Sequence, residues 1–279
     1  MVPDPRQARR DRRAYALALR YLLGLDGVTR AMVERYLVPD PADRPALMDG
    51  QQGIYRLFVD RMQGGGMAPR VVGGAIGNVN ALAPLLGNFN ATTVVRKYGE
   101  DRDRLLQDIR TRLRPAGQFR TERNSIWPRF CRGVLSAAAF LAQFGSSREF
   151  YEWVDFFDKD VRARPSLPML LSAEIDGLGF ALACDCLMGL GYEDFCKPDV
   201  HLKTMFVELG LSRGRGDYEV FKAATRVASN VGVRPFNVDQ IFWLIGSGNF
   251  WRDGIKVGRH REQFITYAKK RLRNHGANA

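Results

Sequence analysis

Long apolar runs, metal-binding cysteine patterns and strand-like alternation are all missing from this chain of 279 residues. No run of about 18 apolar residues occurs, so no membrane span is expected. The first residues, MVPDPRQARRDRR, are polar and carry no apolar h-region, so no secretory signal is expected either. Cysteine is scarce, with four in all: Cys131, Cys184, Cys186 and Cys196. Three of them form C-x-C-x9-C, which fits neither zinc nor iron–sulfur spacing. Two residues apart on a helix, Cys184 and Cys186 point in different directions. Reduced, partly buried thiols in a cytoplasmic protein, with no metal bound, are the expectation. No period-2 alternation of any length and no internal repeat is found, which argues against sheet folds and repeat arrays.

Acidic residues are also outnumbered, 30 Asp and Glu against 42 Lys and Arg, for a net charge of +12. That excess favours a polyanionic partner, nucleic acid first and an anionic membrane second. Charge alone decides little, because basic proteins that touch no nucleic acid are common.

Helical periodicity fills what remains. A basic arm over 6–13, with five Arg, runs into an apolar helix from Ala14 to Leu23. The Pro and Asp content of 37–50 reads as a loop. Helices are expected at 52–62, 70–87, 100–114, 125–144, 147–157, 166–173, 200–209, 217–231, 237–246 and 261–273. The spacing of Ile54, Leu57, Phe58 and Met62 marks one buried face, and Gly64-Gly65-Gly66 then breaks the helix. An all-α fold follows.

The most informative stretch is 177–201, GLGFALACDCLMGLGYEDFCKPDVH. Leu167, Leu170, Leu171 and Ile175 form the apolar face of a short helix, and Asp176-Gly177-Leu178-Gly179 makes a turn. A second helix begins at Ala181. Glycine at 177 and 179 permits positive φ and close approach by another backbone. Turn amides beside a helix N-terminus can hold an anion, while Leu178 plugs the gap between the helices. Alone, such a turn reads as a plain αα-hairpin. Here Lys197-Pro198-Asp199-Val200-His201 follows, placing Asp199 at the start of another helix, 22 residues after Gly177. Backbone amides and the helix dipole there favour a carboxylate.

These residues, together with Ala183 and the run through Gly210-Leu211, resemble the helix–hairpin–helix DNA glycosylase superfamily. The good match covers about 165–211 and a weaker one about 50–250. The family usually has Pro where Asp176 stands. The resemblance implies two helical subdomains with a central cleft. It divides the chain into an N-terminal helical extension with a basic arm (1–49), a glycosylase core (50–250, hairpin 167–190) and a basic C-terminal helix and tail (251–279).

It also implies the chemistry. Asp199 would be the catalytic carboxylate that hydrolyses the N-glycosidic bond of a flipped, damaged or modified base. Strand-cleaving relatives carry Lys two residues after the second hairpin glycine, where this chain has Ala181, so a Schiff-base lyase step is not expected. Gly177, Leu178, Gly179, Lys197, His201 and Lys203 are the expected DNA contacts, with Gln63, Gly64 and Gly65 in the place of a wedge loop and Met67 as an apolar insertion. Lys256, Arg259 and Arg261, with His260 between them, are candidate phosphate contacts. The implied partner is double-stranded DNA bound by a monomer. No cofactor is expected beyond a monovalent cation that the hairpin could hold. Which base is excised stays open: oxidised purines, alkylated bases, mismatched adenine, or a hypermodified phage base in defence. Two other readings remain, a non-catalytic helix–hairpin–helix DNA-binding protein and a partner-binding helical protein whose charge is incidental.

Overall fold

The structure, a computed structural model, describes residues 4–39, 50–64 and 71–273. It is all-α apart from one two-residue hairpin pair. The helices are α1 (Pro5–Leu22), α2 (Arg30–Tyr36), α3 (Gly50–Met62), α4 (Val71–Ala75), α5 (Ala91–Tyr98), α6 (Arg102–Asp108) and α7 (Ile126–Leu141). They continue as α8 (Ser147–Asp158), α9 (Ser166–Glu174), α10 (Phe180–Gly189), α11 (Val200–Glu208), α12 (Asp217–Val231), α13 (Pro235–Ser247) and α14 (Arg261–Arg273). The strands β1 (Asn249–Phe250) and β2 (Ile255–Lys256) pair antiparallel between α13 and α14. No described helix is long and apolar enough to cross a membrane.

Packing divides the chain into two compact units, Met1–Asp40 with Gly191–Ala279, and Pro41–Leu190. This grouping differs from the three-part division read from the sequence. The extension and the basic tail do not stand apart, because both join residues after 190 in the first unit. There α1 lies against α12, α13 and α14. The basic arm is itself helical, started by the Asp4 N-cap and Pro5.

In the second unit α7 is the central helix, with α3, α5 and α6 packed on it. Its core positions include Phe130, Val134, Ala137, Ala138 and Leu141. A side chain at Gly133 would meet the Asp176 carbonyl at 2.7 Å and the Met62 sulfur at 3.0 Å. The bare backbone there lets α3 and the hairpin turn both approach α7. Ser136, one turn on, accepts a bond from the Asp176 amide at 2.9 Å.

The long helix expected over 70–87 is not formed. Only the five residues of α4 and a 3-10 turn at Val79–Leu82 are helical. Gly73, Gly74 and Gly77 lie in that stretch, and Gly77 has φ +90, so the backbone turns instead of propagating. Similarly, the helix expected over 100–114 narrows to α6 and passes into a π turn at Ile109–Leu113. All four cysteines are free and buried, more deeply than expected, and burial pushes Cys131 up to about 12.

Candidate functional site

The hairpin pairs α9 with α10 in the second unit. Leu178 is buried between them at 1% exposure, as the plug the sequence suggested. The Leu178 amide bonds to the Ile175 carbonyl at 3.1 Å, and the Asp176 amide is held by Ser136. Among the described residues the amides of Gly177 and Gly179 have no partner, and no side chain caps α10. Gly177 needs to be glycine because φ is +76. Gly179 does not. Its φ of −66 and ψ of 164 suit any residue, and a Cβ there would meet nothing within 4 Å. Nothing inside the chain explains the missing side chain beyond the tolerance of helix N-caps for glycine.

That contrast gives a test. Gly179→Ser supplies a better N-cap, so thermal stability should hold or rise slightly. If another backbone must come close, duplex affinity should fall by about tenfold, the cost of roughly one lost charge-assisted bond. An unchanged affinity in a titration would mean that the turn is not an interface.

Asp199 belongs to the other unit, so the division between units falls inside the 177–201 stretch. It is the N-cap of α11, and its Oδ1 accepts from the amides of His201 (2.8 Å) and Leu202 (2.9 Å). The carboxyl is half-buried, and Oδ2 takes no bond among the described residues. Its amide closes a tight turn onto the Lys197 carbonyl at 2.7 Å. Two anchored bonds on one oxygen fix the plane of the group while leaving the other oxygen for a ligand. Val200, immediately next, is exposed at 61%, an apolar side chain beside the acid that periodicity alone would have placed inside.

His201 packs its ring on the bare backbone of Gly246 in α13, where an added Cβ would meet ring atoms at 2.5–2.6 Å. Its Nδ1 is buried and has no hydrogen-bond partner among the described residues. Burial lowers its pKa from the ordinary 6.5, Asp199 opposes this, and Arg261 and Arg259 lower it further. The structure therefore brings together Asp199, His201, Arg259 and Arg261 from segments some sixty residues apart. A lowered histidine means that the folded state binds fewer protons than the unfolded chain. The associated stability is complete above about pH 6.5 and is lost as pH falls through the lowered value. Melting temperatures measured from about pH 8 to about pH 5 should decline by more in the wild type than in His201→Gln.

The other expected contacts differ in how free their side chains are. Gln63 is 4% exposed, and its amide donates to Asp60 (2.8 Å) and accepts from the Gly73 amide (3.0 Å). Both ends of the side chain are thus committed to holding the chain between α3 and α4, which leaves it unable to project as a wedge. Gly64 is a half-buried turn residue after α3, whereas Gly65 and Met67 lie outside the described residues. Lys203 is tied to Asp217 in the first turn of α12, so its ammonium is not free for phosphate. Lys197 is half-buried ahead of Asp199. Lys256 on β2 and Arg259 are exposed, and Arg261 pairs with Glu262 at 2.9 Å. His260 is half-buried, with its ring nitrogens at the Tyr21 hydroxyl (3.2 Å) and the Val257 carbonyl (3.0 Å).

The sequence did not single out a cleft of about 320 Å³ in the second unit. Arg56, Asp60, Gln63, Gly73, Asn78 and Asn80 are among its lining residues. Its size falls within the range of small-ligand sites. The residues come from α3 and the glycine-rich segment after it, and no motif joins them. Among the described residues, no group of three or more His, Cys, Asp and Glu could hold a metal. No family model matches the chain, and neither a curated protein nor a solved structure does.

Proposed function

We propose that the protein is a monofunctional DNA glycosylase of the helix–hairpin–helix type. The bare turn carries this reading: two unpartnered amides at a helix N-terminus, with a glycine at 179 that the chain itself does not need. Amides so placed suit a phosphate. Asp199 supplies the chemistry. Its Oδ1 is fixed by two amides, and its Oδ2 accepts the proton of the attacking water. The water oxygen bonds to C1′ while the C1′–N bond breaks, and the bonding electron pair leaves with the base. The carboxylate also offsets the positive charge that grows on the sugar. Without an amine at Ala181 the reaction ends at an abasic site.

The test is incubation of the full chain with duplexes bearing single altered bases and with genomic DNAs, including those of phages with hypermodified pyrimidines. Mass spectrometry should find a free base, and strands should break only after hot alkali. Salt-sensitive binding with no base released from any substrate would favour the non-catalytic DNA-binding reading instead.

A further inference from the structure

The two most basic runs of the sequence lie at its opposite ends, and the fold brings them together. Tyr21 near the end of α1 contacts the rings of His260, just before α14, and of Phe264 and Tyr267 on α14, with centroids 6.0, 5.4 and 5.2 Å apart. Midway along α1, Arg13 Nη2 donates to the Arg271 carbonyl at 2.6 Å. The helices therefore run antiparallel, the middle of α1 lies beside the last turn of α14, and the first turns of α1 lead on from that contact. Arg6, Arg9 and Arg12 are exposed on the first half of α1, and Lys270, Arg271 and Arg273 on the last turn of α14. Arg271 is stacked on Tyr267, 3.8 Å from the ring centroid. The other five make no ion pair and no side-chain hydrogen bond among the described residues.

Neighbouring acids do not neutralise this charge. Asp4 caps α1 through the Arg6 amide at 2.9 Å. Asp11 is fully buried and holds Arg226 and Asn230. Glu208 is taken by Lys269 at 2.5 Å. Cations in the last turn of α14 suit its dipole. Those at the start of α1 oppose theirs, since no acid occupies that first turn. At the start of α1, like charges are thus gathered where no acid among the described residues pairs with them.

We propose that this convergent basic surface docks the phosphate backbone of duplex nucleic acid. From Arg6 to Arg12 is about 9 Å of helix, a length over which a duplex presents about five phosphates. A membrane surface fits less well. None of the exposed large apolar side chains lies on α1 or α14, whereas an interfacial helix needs an apolar face to insert. The surface is separate from Asp199 and does not depend on the chemistry assigned to it.

Fluorescence anisotropy of the full chain with a labelled duplex, over a series of salt concentrations, tests the proposal. In the variant carrying Arg6→Ala, Arg9→Ala and Arg12→Ala, the slope of log K against log salt should shrink by about 2 to 3. Lys270→Ala with Arg273→Ala should shrink it by about 1 to 2. Affinity should fall at least about tenfold in each at roughly 100 mM salt, with melting temperatures little changed because these exposed side chains make no ion pair or hydrogen bond among the described residues. Wild-type affinity and slope in both variants would overturn the proposal. So would a wild-type chain that binds phosphatidylserine vesicles but no duplex. Asp199→Asn should keep the full slope, so loss of base release and loss of docking are read separately.

Discussion

Asp199→Asn is expected to lower base release by about a thousandfold or more while leaving the fold and duplex binding intact. Asparagine is as good an N-cap as aspartate. Its carbonyl oxygen can accept the same bonds from the His201 and Leu202 amides that Oδ1 accepts now, at 2.8 and 2.9 Å. The start of α11 should therefore lose no more than about 0.5 kcal/mol. What the amide cannot do is take a proton from water or offset a growing positive charge. General-base catalysis contributes about 10² to 10⁴ in rate, and removing one electrostatic stabiliser costs about 10² to 10³. Asp199→Ala separates the roles further, since it loses the cap as well, at about 1 kcal/mol. Single-turnover release of the base, set beside a melting curve for each variant, checks both halves. Release at the wild-type rate from Asp199→Asn would remove the carboxylate from the mechanism and leave it as a cap.

What could be read from the sequence was local. Helical spacing located α3, α7, α8 and α12 to within a few residues, and the N-cap role of Asp199 follows from a short polar residue before an apolar run. The Leu178 plug was legible for the same reason, as a large apolar side chain between two glycines. Misreadings arose where glycine outweighed hydrophobicity, as over 70–87, or where a polar residue had a partner far away. Gln63 looked free for DNA because nothing near it in sequence announces the Gly73 amide. Lys203 looked basic and open because Asp217 arrives with another helix. His201 against Gly246, with Arg259 and Arg261 near it, is likewise a meeting across sequence distance that no local pattern announces. The division at Leu190–Gly191 was hidden in a glycine-rich turn that also suits a continuous hairpin-to-acid segment. The basic arm over 6–13 reads as separate from the helix that begins at Ala14, because its arginines mask the buried positions Ala8 and Asp11.

Asp11→Ala should be among the most destabilising single changes in the first unit, by about 3 kcal/mol, the lower end for breaking a buried ion pair. Asp11 is fully buried on α1. Arg226 of α12 reaches it with Nε to Oδ2 at 2.9 Å and Nη2 to Oδ1 at 3.2 Å. Asn230 donates to Oδ2 at 2.7 Å and Gln7 to Oδ1 at 2.8 Å. Removing the carboxylate leaves four donated bonds without an acceptor. The guanidinium can recover part of that loss, because its side chain is 40% exposed and it keeps the Leu211 carbonyl at 2.6 Å. The converse change, Arg226→Ala, leaves the buried carboxylate without a cation and with only the Asn230 and Gln7 donors, and should cost about 4 kcal/mol. The double variant should cost clearly less than the sum, since each single change already breaks the same contact. Urea unfolding of the three variants measures the coupling, and a loss below about 0.5 kcal/mol for Asp11→Ala would show that the pair does not hold α1. The consequence for function is direct. The network fastens α1 to α12 while the exposed arginines around it face solvent, so loosening it should speed amide exchange along α1 and weaken duplex docking, although Asp11 itself can touch no phosphate.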